Sequence, residues 1–182
     1  MSTSRGVHRV RSRCSTPSSN CARRSERRRR SAMRPGVDDI RTLVAAAGVA
    51  VEVEDAALGV VASVAAHDAI DALSAFSAGG YESLVDFDGI DTGEAIELTW
   101  RLRSYSMDCE AYLKTTVAYD AEIHSAWNVY PSALMPERET AELLGLRLAG
   151  HPNPKRLFTT DGIPPLLRKD VAIRSEEEVK NR

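Results

Sequence analysis

The sequence predicts an α+β domain of two layers, a mixed sheet with helices on one face, plus an extended Pro-rich C-terminal tail. Three observations carry that expectation. Two runs of alternating apolar and polar residues, EAIELTWRLRSY and EAYLKTTVAYD, are joined by a short polar turn, the pattern of an antiparallel hairpin. Three other segments repeat apolar residues at helical spacing. The last stretch of the chain holds Pro152, Pro154, Pro164 and Pro165 with no periodicity of either kind.

The elements follow in order. VDDIRTLVAAAGVAVEVE, from Val37, places Ile40, Leu43, Val44 and Ala47 on one helical face, with Asp38 and Asp39 opposing the dipole in the first turn, and stops near Gly48. VAVEVE then alternates as a strand, and LGVVASV (58–64) is a second, Val-rich one. AAHDAIDALSAFSAGG reads as a helix with Ile70, Leu73 and Phe76 inward, ended by Gly79 and Gly80. YESLVDFDGID passes from a helical tail or turn into an extended segment. In the hairpin, Ile96, Leu98, Trp100 and Leu102 point one way; Tyr112, Lys114 and Thr116 oppose Leu113, Thr115 and Val117, with SMDC as the turn. A short helix runs from Pro136, at its first position, to Leu144. Glu137 and Glu139 stand in its first turn, Arg138 pairs with Glu142 across one face, and Gly145 closes it in the left-handed conformation.

The organisation is therefore a leader (1–36), a domain (37–145) and a tail (146–182). The leader carries eleven Arg against Glu26 alone, a balance of +10, so the total of −2 leaves −12 for the rest. Rich in Ser and Arg and poor in large apolar residues, it is expected to be disordered. Three readings stay open for it: a start placed too early, with Met33 the true first residue; a targeting peptide; or a tail that binds anionic membrane or nucleic acid. RPGV leads directly into a helical pattern, which suits the first. The acidic domain repels nucleic acid and the leader has no aromatic residue for base stacking, so no specific nucleic acid is expected.

Apolar runs such as LVAAAGVAV and AALGVVASVAA fall short of the roughly 18 to 20 residues that cross a bilayer, and no secretory signal pattern is present. A reducing interior is expected. Cys14 and Cys21 lie in the leader and Cys109 stands alone in the domain, without a CxxC pair, so no iron-sulfur cluster or structural zinc is expected on this chain. No Gly-rich phosphate loop or Gly-x-Ser-x-Gly elbow occurs.

ERETAELLGLRLAGHPNPKRL (137–157) is the densest chemistry in the chain. As a hydrolase or metal site it would use Glu137, Glu139, Glu142 and His151, but a helical zinc site needs two His four apart, and here one His lies outside the helix. As a structural feature, its acids serve the dipole and Arg138 covers a seam. As a docking feature, the rigid donor fork of Arg138 bridges carboxylates or carbonyls of a partner, while GHPNPKRL and LLRKD run over that partner as extended backbone. The Pro-rich tail, long for a segment without structure, favours docking.

IHSAWNVYPSALMPERETAELLGLRLAGHPNPKRL followed by PPLLRKD resembles the thirty-kilodalton subunit of respiratory complex I, also called its C subunit, and its relatives in energy-converting membrane-bound nickel-iron hydrogenases and formate hydrogenlyase. Order and spacing match without a gap through Leu157, at Ser125, Pro131, Ala133, Glu137, Arg138, Glu139, Gly145, Gly150, His151, Pro152 and Arg156, and again at Arg168, Lys169 and Asp170. A weaker match reaches back to about residue 80. Met135, Ala141, Glu142, Leu144 and the extra Leu167 depart from the complex I pattern and keep the hydrogenase-like branch open.

The resemblance implies an α+β peripheral-arm subunit without catalytic residues, cofactor or metal, on the cytoplasmic side of the cell membrane. It implies that iron-sulfur clusters and flavin, or nickel-iron, belong to partner subunits. Those partners are a large catalytic subunit, iron-sulfur subunits and, indirectly, a membrane arm. On this analogy Glu137, Arg138, Glu139, Gly145, Gly150, His151, Pro152, Arg156, Arg168, Lys169 and Asp170 bind the partner, and residues 146–174 wrap the large subunit.

Overall fold

The computed structural model of the chain describes residues 35–57 and 59–172. The expectations for the leader up to residue 34, and for the tail beyond 172, lie outside the described residues. The α+β class is borne out. The chain runs α1 (Val37–Ala45), β1 (Val51–Ala56), β2 (Gly59–Val64), α2 (Ala69–Ala78), β3 (Ser83–Asp91), β4 (Ile96–Ser104), β5 (Cys109–Val117), β6 (Glu122–His124), α3 (Leu134–Leu144) and β7 (Arg147–Ala149). The main sheet has the order β1-β2-β5-β4-β3, parallel only between β2 and β5.

The alternation of β4 and β5 sorts the two faces. Ile96, Leu98, Trp100 and Leu102 are buried beside Ala111, Leu113, Thr115 and Val117, with Trp100 opposite Leu113 in the register. Over this face lie Ile40 and Val44 of α1, Leu73 and Phe76 of α2, and Leu144 of α3. Burying side chains of this size contributes about 1.5–3 kcal/mol each, the main term holding the helices to the sheet. The opposite face is polar: Arg101 grips Glu110 through two bonds of 3.0 and 3.1 Å, Arg103 adds a third, and Lys114 pairs with Glu97 at 2.7 Å.

Three boundaries differ from the sequence reading. Ile70 packs against the core but is only partly buried, the buried stripe of α2 being Ala69, Ala72, Leu73 and Phe76. The third helix starts at Leu134, so Pro136 is its third residue. Pro131 opens a 3-10 turn (Pro131–Ala133) that leads directly into α3, and Pro136 still lies where helical N–H groups have no intrahelical partner. Arg147–Ala149, expected to lack regular structure, pairs in parallel with β6.

Two glycines set close approaches. A Cβ on Gly89 of β3 would lie 2.5 Å from a Leu144 methyl, so α3 sits directly on that strand. Gly145 closes α3 at φ 77° and ψ 30°, the left-handed cap that the sequence predicts.

Candidate partner-docking site

The third helix divides its polar residues between the interior and the tail. Glu137 is fully buried, 0 % exposed. Its carboxylate accepts the Ser125 hydroxyl at 2.5 Å and the Ala126 amide at 2.6 Å, tying α3 to the 3-10 turn Ala126–Asn128. Burial pushes its carboxyl above the usual range, opposed by those two bonds and the nearby His151. Glu137 is thus bonded within its own domain.

His151 holds the start of the tail. The Asn153 amide donates to Nδ1 at 3.0 Å, which assigns the ring proton to Nε2, and Nε2 donates to the Leu134 carbonyl at 3.0 Å. The ring is buried, with the Glu137 carboxylate 3.9 Å away. Gly150, at φ 74°, makes the turn that delivers it.

Arg138 and Glu142 do not pair with each other. Arg138 donates from Nε to the Lys155 carbonyl (2.7 Å) and from an Nη to the Arg156 carbonyl (2.9 Å). Glu142, one turn on, accepts the amides of Leu157, Phe158 (3.1 Å) and Thr159 (2.6 Å) and the Thr159 hydroxyl. The tail backbone offers two carbonyls and then three amides, and each charged side chain takes the groups of opposite polarity. Charge-assisted bonds of this kind outcompete an exposed helix-surface pair. Burial raises the Glu142 carboxyl, but the Leu157 amide, the Thr159 hydroxyl and the amides of Phe158 and Thr159 together pull it down to about 2. Arg156 closes the loop that follows, donating to Thr159, the Thr160 carbonyl and the Ile163 carbonyl.

A second anchor holds the end of the tail. The Leu167 amide donates to the Leu143 carbonyl at 3.0 Å, one of the orphan acceptors at the end of α3. Pro165 covers Gly145 so closely that a Cβ there would lie 2.7 Å from the ring. Arg168 stacks on Tyr119, 4.4 Å from its centroid, and pairs with Asp120 and Asp170. Asp91, buried at the end of β3, accepts the Tyr119 hydroxyl (2.6 Å), the Lys169 amide (2.7 Å) and the Gly93 amide (2.7 Å). The Tyr119 bond first, then these amides, hold its carboxyl below the usual range, and Asp91 pushes Tyr119 up to about 12.

The tail is therefore a strap bound back on its own domain. Of the residues expected to face a partner, Arg138, Gly145, His151, Arg156, Arg168 and Asp170 hold or seat the strap, and Lys169 does so through its amide. Glu139 and Pro152 are exposed. Sequence reasoning missed Glu142 as a strap ligand and missed Asp91, Tyr119 and Asp120 entirely; the Asp91 to Lys169 bond spans 78 positions, and no local pattern announces it. The strap leaves Phe158 (64 % exposed), Leu167 (56 %), Leu166 (48 %) and Ile163 in solvent, among exposed polar residues such as Asn153, Lys155, Thr160 and Asp161.

Fold and site define a class: a two-layer α+β domain whose C-terminal strap is held by its last helix and exposes four large apolar side chains. The chain belongs to the family of the respiratory-chain NADH dehydrogenase 30 Kd subunit, whose model matches residues 60–177. That bears out the resemblance carried by the motif. The C subunit of NADH-quinone oxidoreductase from Phenylobacterium zucineum is 31% identical over 111 residues, covering 56% of this chain and 53% of that protein. Its counterpart from Moorella thermoacetica is 32% identical over 103 residues, covering 53% of this chain and 68% of its own length. The chain spans about half the length of the first curated relatives it matches. Among solved structures, a chain of the membrane-bound sulfane sulfur reductase, an archaeal respiratory membrane complex, shares the fold at TM-score 0.67 and 19% identity, over 79% of this chain and 88% of that one.

Proposed function

We propose that the chain is a non-catalytic peripheral-arm subunit of a membrane-attached, ion-pumping oxidoreductase of the NADH-quinone oxidoreductase type, docking the large catalytic subunit through its strap. The observation that carries this reading is the strap itself in a member of the 30 Kd subunit family, fastened to α3 and leaving Phe158, Ile163, Leu166 and Leu167 exposed. Four large exposed apolar side chains within ten residues of one segment fit an interaction surface. Electron transfer then belongs to the neighbours, which carry the flavin and iron-sulfur clusters. The subunit sits on the cytoplasmic side of the cell membrane, held through those neighbours; among the described residues no helix is long and apolar enough to cross a membrane.

A second reading is the equivalent subunit of a hydrogenase-like complex, such as an energy-converting nickel-iron hydrogenase. It is favoured by the departures from the complex I pattern at Met135, Ala141, Glu142, Leu144 and Leu167.

The test is a mild-detergent pull-down of the tagged chain from membranes, with mass spectrometry of what is retained. Recovery of a large subunit, an iron-sulfur subunit and antiporter-like membrane proteins supports the reading, and metal-binding cysteines in that large subunit select the second form. Recovery of the chain alone sinks both.

A further inference from the structure

The arginines of the described residues fall into two groups. Four of them pair with carboxylates: Arg41 with Asp38, Arg101 with Glu110, Arg103 with Asp108 and Glu110, and Arg168 with Asp120 and Asp170. The other three, Arg138, Arg147 and Arg156, make no ion pair among the described residues, although residues 35–172 hold 22 acids against ten Lys and Arg. All three line one cavity.

That cavity, of about 370 Å³, lies at the seam where the strap crosses α3 and β7, and Lys155 is a fourth cation on its wall. Its size falls within the range of about 300–1,000 Å³ that ligand sites occupy. Glu142 is the single acid among the lining residues, and its carboxylate is committed to the strap amides and the Thr159 hydroxyl. Arg138 and Arg156 bond only to neutral acceptors: backbone carbonyls, the Met135 sulfur and the Thr159 hydroxyl. The side chains of Arg147 and Lys155 make neither a hydrogen bond nor an ion pair among the described residues. Cations gathered at a concave site focus their field on it and repel one another, a cost that an arriving anion removes. Leu146 and Leu148 add an apolar lining.

We propose that this cavity receives an acidic segment of the docking partner, a glutamate carboxylate held by Arg147 and Lys155 with the charge of Arg138 and Arg156 behind them. The inference rests on the docking reading and deepens it by stating what the partner brings. Guanidinium forks match carboxylate geometry, and bonds between ionised groups are the stronger kind. The methylene stem of a glutamate covers Leu146 and Leu148, which a free phosphate would leave bare. Arg147 belongs to β7 and Lys155 to the strap, so a carboxylate bonded to both ties partner, strap and domain together.

The experiment uses the full chain. Its amide signals are followed by NMR as the peptide acetyl-Glu-Leu-Glu-amide is added, with acetyl-Gln-Leu-Gln-amide and inorganic phosphate as comparison probes. The Glu peptide is expected to shift the signals of Arg147, Leu148 and Lys155 and to bind at least about tenfold more tightly than either comparison probe. The variant Arg147→Gln/Lys155→Gln is expected to lose that preference and to lower recovery of the large subunit in the membrane pull-down at least about tenfold. Unchanged exchange protection of the Leu157, Phe158 and Thr159 amides is the check that its strap is in place. Equal binding of the Glu and Gln peptides, or of the Glu peptide by native and variant chains, overturns the proposal. Tighter binding of phosphate does the same by assigning a small-anion site. So does a preference for the Glu peptide that emerges only once residues 173–182 are removed, which gives the cavity to Glu176, Glu177 and Glu178 of the chain itself. Full recovery of the large subunit by the variant overturns the proposal and leaves the docking reading standing. Selective peptide binding by a chain that is recovered alone from membranes sinks the docking reading and keeps the acidic-peptide site.

Discussion

Glu142 and Arg138 are the residues whose roles the folded chain changes most. A carboxyl held at about 2 in the folded chain against its usual 4.5 stabilises the strap, and the sign follows from that depression. The contribution is fully present above about pH 4.5 and is lost as the pH falls towards 2. Hydrogen-exchange protection of the Leu157, Phe158 and Thr159 amides is therefore expected to fall between pH 5 and about 2.5 ahead of the core of β4 and β5; protection that declines together in strap and core excludes the assignment. Arg138→Ala removes two charge-assisted bonds at a half-exposed position, so a loss of about 1 kcal/mol or less in global stability is expected, with faster exchange at the three amides and weaker assembly. Glu137 behaves oppositely. Its carboxyl is raised by burial, so its ionised form opposes folding at neutral pH, and that opposition fades as the pH falls through the raised value. Glu137→Gln keeps the shape and an acceptor for the Ala126 amide, and is expected to leave neutral-pH stability nearly unchanged. Glu137→Ala strands that amide and the Ser125 hydroxyl and is expected to cost about 2–4 kcal/mol in urea unfolding.

At the scale of elements, α3 is the hinge between domain and strap, and Gly145 is where the two meet. A side chain there would have to hold a left-handed φ and would drive into Pro165 at 2.7 Å. Gly145→Ala is expected to cost about 1–2 kcal/mol from the backbone alone and to lift Pro165–Lys169 off Leu143 and Asp91, read as lost exchange protection at the Leu167 and Lys169 amides. Protection retained at those amides would show that the strap does not depend on this cap. The legibility of these elements varied for physical reasons. Alternation in β4 and β5 was readable because one face is buried and the other is salt-bridged, so each residue reports its side. The Gly145 cap was readable because glycine is the residue that accepts that φ cheaply. The start of α3 was misplaced because a 3-10 turn begun by Pro131 precedes the helix and conceals the first turn. The strap was readable as a tail that lies on something, but its first support is its own domain, through Arg138 to the Lys155 carbonyl and Asp91 to the Lys169 amide. Those bonds involve backbone groups, which carry no side-chain signature in a sequence.

At the scale of the whole molecule, the strap carries two sets of groups with separable consequences. One set of its groups is bonded to α3, β3 and the loop at Tyr119–Asp120; another, Phe158, Leu166 and Leu167, stands largely in solvent. Substituting these largely exposed side chains removes few contacts within the chain, so stability should move by no more than about 0.5 kcal/mol. Docking is a different matter, because large side chains at the centre of an interface carry most of its energy. Phe158→Ser/Leu167→Ser is therefore expected to keep the thermal midpoint and the strap's exchange protection while reducing recovery of the large subunit in the membrane pull-down at least about tenfold, the factor that 1.4 kcal/mol represents. Arg138→Ala gives the complementary signature, reduced strap protection together with reduced recovery. If the apolar pair of substitutions leaves recovery unchanged while Arg138→Ala lowers it, the partner reads the placement of the strap rather than its exposed apolar side chains. If both leave recovery unchanged, the strap is an internal fastening and the docking surface lies elsewhere on the domain.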